Sequence, residues 1–386
     1  MIDTTKTIGT PATYAQQKIR NLLAEGKITN ITNLEKAIFS LEYLGQLHNE
    51  GLPLIFKGGS AVQILLGDKW TRLSIDIDIC TKATEEEFKA ILEKIYRKFD
   101  RKAFSYEPRS REIDSPIPFY LYRINTPTIA ERTRTILLDA IGIEPKMATQ
   151  KTLLKTFFFD SAVKVTTPTT GALLGDKLST IGPTTIGRPL KDSRNGLEYA
   201  KHLYDINRLQ ETNFSPKQCA SAFNEAIKIQ SKIRNKKYTS NQCFNDMLFT
   251  CQVASLPQRI GEQAIKELPP PQVKRATSEF RILQDGLQRF RPFLIQNLTY
   301  VWDDIRYYAA RTALLIRMLY SRTKEADARK ILNTSVPNRS EDISDLVKQI
   351  KELPQAERWF VIPTEIVNFP RVLRTWYDYF ILSELI

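Results

Sequence analysis

Between Leu73 and Cys80 the chain alternates with a period of two: Ile75, Ile77 and Ile79 fall on one side, Ser74, Asp76 and Asp78 on the other. Strand residues two apart face the same way, so the octet predicts a half-buried strand presenting two carboxylates from its polar face. Upstream lies Leu54-Ile55-Phe56, a short apolar run that ends in Gly58-Gly59-Ser60 and is followed by a helical stretch from Ala61 to Leu66. Strand, glycine turn, helix and acidic strand in that order place this part of the chain in a mixed α and β architecture.

The rest of the pattern extends that frame. The first ten residues look loose. Helical spacing runs from about Ala12 to Glu25 and from about Asn33 to His48, and Gly51 and Pro53 punctuate the end of the second helix. Glu85 to Lys98 reads as an amphipathic helix, followed by a basic stretch from Arg101 to Arg111. Phe119–Ile124 and Thr133–Ile143 read as β segments, the second carrying Asp139, and Phe157–Thr166 as a further strand. Beyond Thr170 the chain reads as helical, most clearly over 218–234, 273–295, 301–320 and 364–384. The expected organisation is α+β: a mixed sheet flanked by helices over residues 1–170, then a mainly helical domain over 171–386.

Composition narrows the chemistry. With 42% apolar and 26% charged residues, the chain is not disordered throughout. There are two histidines, His48 and His202, and neither lies in a recognisable motif, which argues against a Ser-His-Asp hydrolase or a histidine-ligated zinc enzyme. Chemistry here falls to carboxylates, Lys and Arg. Cys80, Cys219, Cys243 and Cys251 show no CxxC spacing and read as reduced, mostly buried thiols. The start lacks the basic head and apolar stretch of a secretory signal, and no apolar run nears the roughly 20 residues of a membrane span, so a cytoplasmic protein without membrane association is expected. The net charge of +13 favours an acidic partner. From Lys217 to Lys330 there are 20 Lys and Arg against 10 Asp and Glu; this is either a solvated helical surface or a basic face for RNA or an acidic inhibitor protein.

The glycine turn and the acidic strand support each other chemically. Glycines let backbone approach a phosphate closely, N–H groups at a helix start favour anions, and the Ser60 hydroxyl can add a hydrogen bond. Asp76 and Asp78 on one strand face suit Mg²⁺, or Mn²⁺, with phosphate in its shell. Asp139, at the end of another apolar strand, is placed to complete the trio. Three carboxylates beside a phosphate seat fit two-metal nucleotidyl transfer, with Asp139 as ligand or proton acceptor.

Lys57-Gly58-Gly59-Ser60 followed by Arg72-Leu73-Ser74-Ile75-Asp76-Ile77-Asp78 resembles the signature of the AbiEii/AbiGii-type nucleotidyltransferase toxins, of the DNA-polymerase-β-like superfamily. Leu173-Leu174-Gly175-Asp176-Lys177-Leu178, Thr184-Thr185-Ile186-Gly187-Arg188-Pro189 and Lys201-His202-Leu203-Tyr204-Asp205-Ile206 are similar to the family's downstream stretches. The resemblance spans roughly residues 30–210. It implies a toxin of a toxin–antitoxin, abortive-infection system that transfers NMP from an NTP to an acceptor, with RNA such as the tRNA 3′ end as one acceptor class and a cognate antitoxin as partner. Protein or small-molecule acceptors are the alternative on the same fold, and a non-catalytic nucleic-acid-binding protein a third reading. By the same resemblance Lys57, Gly58, Gly59, Ser60, Arg72 and Ser74 attend the nucleotide, Asp76, Asp78 and Asp139 the metal ions, Lys177 the triphosphate, and Asp205 is an essential acid beside it.

Two positions depart from the family pattern. Ser60 stands where many members have Thr, which keeps the hydroxyl. Lys201-His202 stands where many have a basic-acidic pair, for which Lys191-Asp192 is a displaced candidate. Plain alternatives remain at each site: a solvated Lys177 with a packed stem, an Asp205 paired with Arg208, a turn carboxylate at Asp139, a loop charge at Arg72. For Tyr307-Tyr308 and Trp376-Tyr377, core packing is favoured over base stacking.

Overall fold

The apolar run before the glycines folds as strand β1, Leu54–Lys57. The alternating octet yields a shorter strand than its pattern predicts: β2 covers Ile77–Thr81. Residues 73–76 lie ahead of the ladder because their backbone groups are taken elsewhere. The Leu73 N–H donates to the Phe293 carbonyl at 2.6 Å, and the Ser74 N–H to the Gln63 side chain at 3.0 Å. The carbonyls of Ile75 and Asp76 accept from the Ser40 and Ser60 hydroxyls at 2.6 and 2.8 Å.

Three more strands, β3 (Tyr106–Pro108), β4 (Phe119–Thr126) and β5 (Arg134–Ile141), complete a five-stranded sheet in the order β1-β2-β5-β4-β3. Only β2 and β5 run parallel; the other pairs are antiparallel. The computed structural model describes residues 2–110, 114–130, 134–296, 298–321, 327, 330, 331 and 340–384, so Arg111 and Thr133, ends of two expected segments, lie outside them. A separate antiparallel pair joins β6 (Thr149–Leu153) to β7 (Lys164–Pro168). The strand expected over Phe157–Thr166 therefore begins only at Lys164. Ahead of it the Thr156 hydroxyl accepts from the Phe159 N–H at 3.0 Å, forming a turn that tucks Phe158 and Phe159 into the core.

Helices α1 (Gln16–Ala24), α2 (Ile31–Asn49), α3 (Gly58–Leu66) and α4 (Glu85–Lys98) belong to the same part of the chain. One face of the sheet, with Phe56, Ile77, Ile79, Leu138, Ala140, Tyr120 and Tyr122, is buried, and Phe88 of α4 packs its ring on Tyr120 and Tyr122. The N-terminal residues are more tightly held than their composition predicts. Glu42, buried in α2, accepts from the Ile8 and Gly9 N–H groups at 3.0 Å and from the Tyr14 hydroxyl, because a buried carboxylate needs donors.

The chain divides into two compact units. The first comprises Met1–Leu173, Lys228–Lys237 and Pro292–Thr299; the second comprises Leu174–Ile227, Tyr238–Arg291 and Tyr300–Ile386. In the first unit the late segment continues the Leu73 contact: the Ile295 N–H donates to Thr71 at 3.1 Å and the Gln296 N–H to Lys27 at 3.0 Å.

Among the described residues the second unit is built from helices, including α6 (Ser193–Gln210), α8 (Ser240–Ala254), α9 (Gly261–Ile265), α10 (Pro270–Gln288), α11 (Trp302–Tyr320) and most of α5 (Thr170–Leu178) and α7 (Pro216–Ile233), whose remaining residues belong to the first. Helix α10 stops short of the predicted 273–295, since Pro292 cannot continue it. The last long helix is Pro370–Leu382 rather than 364–384, with Pro370 in its first turn, where a missing N–H costs nothing. Gly196 and Gly286 bring α6 and α10 into backbone contact: a Cβ on Gly286 would overlap the Gly196 carbonyl carbon. Trp376 is fully buried against Phe360 and Tyr379, a packing role. No helix among the described residues is long and apolar enough to cross a membrane. All four cysteines are buried thiols.

Candidate active site

One row of residues crosses the sheet. Lys57 of β1 is in register with Asp78 of β2, Asp78 with Asp139 of β5, and Asp139 with Leu121 of β4. The Arg109 N–H, one residue past β3, donates to the Leu121 carbonyl at 2.8 Å and extends the row to the far edge. Registered neighbours point to the same side of a sheet. Asp78 and Asp139 thus share the face opposite buried Ile77, Ile79, Leu138 and Ala140, with a cationic residue at each end of the row.

The glycine turn closes on that row. Gly58 has φ +74°, in the left-handed region, and a Cβ there would overlap the Asp78 carboxyl. At Gly59 a Cβ would lie 2.6 Å from both Arg72 Nη2 and Ser74 Oγ. Arg72 is buried, with its guanidinium 5.1 Å from the Trp70 ring centre and Nη1 donating to the Leu73 carbonyl at 3.1 Å. It is built into the turn and is not a solvated loop charge. Ser60 is buried and its hydroxyl donates a hydrogen bond to the Asp76 carbonyl, tying the first turn of α3 to the entry of β2. The N-cap residue of α3, Lys57, makes no side-chain cap hydrogen bond to the helix. Asp76 itself precedes the strand, so it does not share the ladder with Asp78 as the alternation predicts.

Arg109, which sequence reasoning did not single out, forms an ion pair with Asp139. Among the described residues no group of three or more His, Cys, Asp or Glu side chains lies close enough together to hold a metal ion. Two observations nonetheless fit a divalent cation at this face. The cross-strand pair supplies hard carboxylate oxygens from adjacent strands, and Gly58 leaves the Asp78 carboxyl the space that any other residue would fill.

Lys177 and Asp205 lie in the second unit. Lys177 Nζ is 2.9 Å from Asp205 Oδ2, and the side chains are 6% and 0% exposed, so this is a buried ion pair. Lys177 is not a solvated lysine, and Arg208 pairs with Glu211 at 2.6 Å. The Lys201-His202 departure leaves the pair intact. Lys201 turns to Glu198 at 3.0 Å. Burial alone would raise the Glu198 pKa, but the charges of Lys201 and His202 outweigh it and bring it down to about 2. His202 is lowered to about 3, by burial first and by the Lys177 charge next. Asp192 caps α6, accepting from the Arg194 and Asn195 N–H groups at 2.9 Å.

The family model for the nucleotidyl transferase AbiEii toxin of type IV toxin–antitoxin systems matches residues 43–301. The chain belongs to this family. As an AbiEii protein it is a nucleotidyltransferase toxin of a type IV toxin–antitoxin system. Among solved structures it is similar to MenT4, a nucleotidyltransferase toxin of Mycobacterium tuberculosis H37Rv, at 12% identity and a TM-score of 0.42, over 79% of this chain and 99% of that one. No curated protein matches.

The AbiEii chain also contains a polar clamp absent from the sequence reading. Asp246 accepts from both the N–H and the hydroxyl of Thr184 and of Thr185 at 2.7–2.9 Å, and Arg275 bridges Asp246 and Glu279 at 2.6 Å each. The Thr184–Pro189 stretch is thus held by residues some sixty and ninety positions on. No local spacing signals it. Only the pairing of a buried acid with backbone donors reveals the clamp.

Proposed function

We propose that this AbiEii toxin transfers a nucleotide monophosphate from an NTP to an RNA acceptor, with the 3′ end of tRNA as the favoured class. The observation that carries the reading is the registered pair Asp78 and Asp139, set on the polar face beside a glycine turn that opens a helix.

In this reading the N–H groups opening α3 receive the triphosphate, as N–H groups at a helix start favour anions. The Gly58 and Gly59 backbone lets phosphate oxygens approach without a Cβ in the way. Lys57 and Arg72 supply positive charge at the turn, and Ser74 and Ser60 hold it in shape, with Ser60 fixing the strand entry that carries Asp76. Asp76, Asp78 and Asp139 would hold Mg²⁺ or Mn²⁺. That ion, when bound, neutralises charge on the phosphates and acidifies the attacking hydroxyl. Asp139, half-exposed, takes the proton in this reading as the acceptor hydroxyl attacks the α-phosphorus and pyrophosphate leaves. In-line geometry and charge neutralisation carry most of the acceleration. Lys177, whose ammonium Asp205 fixes, keeps the nucleotide role that the family resemblance implies for it. The net charge of +13 supports a polynucleotide acceptor, and a cognate antitoxin acting in the cytoplasm completes the system.

The test is incubation of purified protein with each labelled NTP, Mg²⁺ and total tRNA. Label on RNA that vanishes in Asp78→Asn supports the reading. Label on protein alone redirects the acceptor, and no label with any nucleotide refutes the transfer reaction.

A further inference from the structure

Two like charges held directly across neighbouring strands repel each other, and the sheet register keeps the Cα atoms of Asp78 and Asp139 side by side. In this structure a side chain from the far end of the same row meets one of them. Arg109 reaches over Leu121, and its Nη2 bonds Asp139 Oδ1. We propose that Arg109 is the resident counter-cation of the carboxylate pair, competing with a divalent ion for Asp139 and thereby setting the metal concentration at which the site loads. The inference rests on the metal-binding reading of Asp78 and Asp139 given above.

Three observations carry it. First, the contact is built by the sheet: the Arg109 backbone is pinned to Leu121, whose ladder partner is Asp139, so the guanidinium is delivered to that carboxylate by register. Second, the Arg109 side chain is 20% exposed and Asp139 45%, so the pair lies where a solvated ion can reach it and where an ion pair is weak enough to be displaced. Third, the buried Arg109 Nε has no hydrogen-bond partner among the described residues, so the guanidinium is not fully satisfied where it sits.

A dication seated on Asp78 and Asp139 repels a guanidinium on the same carboxylate. Metal binding and Arg109 pairing are therefore linked and mutually weakening, and the linkage runs equally in both directions.

The experiment titrates Mn²⁺ into the full chain without nucleotide, following free Mn²⁺ by electron paramagnetic resonance. Arg109→Gln should bind about three- to tenfold more tightly than the parent. Arg109→Lys, which keeps the charge, should stay near the parent, and Asp139→Asn should erase the effect of Arg109→Gln. Equal or weaker binding by Arg109→Gln overturns the proposal. A second readout needs no variant: modification of Arg109 by phenylglyoxal, read by peptide mass spectrometry, should speed up when Mg²⁺ is added, and an unchanged or slower rate overturns it. The underlying site reading fails separately. If Asp78→Asn and Asp139→Asn leave Mn²⁺ binding untouched, the carboxylates are not the metal site, and the competition falls with it. If they abolish binding while Arg109→Gln is neutral, only the role of Arg109 falls.

Discussion

A single methyl group tests the glycine turn. Gly58 combines positive φ with a Cβ position already filled by the Asp78 carboxyl, so Gly58→Ala strains the backbone and displaces the acid together. The strain alone costs about 1 kcal/mol. We expect Gly58→Ala to lower the urea midpoint modestly and to remove at least about 99% of nucleotidyl transfer, since losing one placed charge group costs two orders of magnitude or more. Parent-like turnover in this variant would show that the turn and Asp78 are not coupled. Gly51 gives the contrast: its φ is +89° but a Cβ there meets nothing, so Gly51→Ala should cost only stability. The neighbourhood of Gly58 was legible as a motif, but Arg109 was not. Its place in the row depends on a register between strands some thirty residues apart, and no local spacing reports register.

Helices α5 and α6 are joined by the buried Lys177–Asp205 ion pair. Breaking a buried ion pair strands the surviving charge, at about 3–5 kcal/mol, whereas removing both partners leaves no orphan. Lys177→Met and Asp205→Leu should each lower stability by that order, and the double variant by clearly less than the sum, measured by urea denaturation. Additive losses would mean the two groups do not interact. The same helix holds a pH sensor in His202, whose Nδ1 is buried without a hydrogen-bond partner among the described residues. Its pKa falls from 6.5 unfolded to about 3 folded, through burial and then the Lys177 charge, with Glu198, Asp205 and Arg188 also in its field. Below 6.5 the unfolded chain binds the extra proton, so this stability is complete above that pH and is lost as pH falls toward 3. Between pH 6.5 and 5 the loss should be about 1–2 kcal/mol. Comparing urea midpoints at pH 7 and 5 for the parent and His202→Phe checks this: the variant should show the flatter dependence, and equal slopes would place the titration elsewhere. Glu198 enters only below about 4.5, outside that window.

At the scale of the molecule, the first unit is not one continuous stretch. It takes in Lys228–Lys237, where Ile229 and Ile233 pack with Ile117, and Pro292–Thr299, whose backbone bonds residues 27, 71 and 73. A fragment ending at residue 173 should therefore lose fixed tertiary packing, with a weak near-ultraviolet circular dichroism signal and dye binding to exposed apolar surface. A cooperative, native-like fragment would show that the returning segments are dispensable.

Local structure depends on residues a few positions apart, and that much the chain's own order determined. The Thr84–Glu87 capping box and the apolar face of α4, the apolar strand before Gly58, and the helix-stopping prolines all follow from near neighbours. So did the family, through motifs that stay together in sequence. Tertiary structure alone decided where the far-separated charges went: Arg109 to Asp139, Asp246 to Thr184 and Thr185, Glu42 to the N-terminal backbone. It also took Leu73 out of the expected strand by giving its N–H to Phe293. The reason is that a hydrogen bond or ion pair is chosen by proximity in space, and when strands are joined by long connections that proximity is set by register and packing, neither of which is written in any short window.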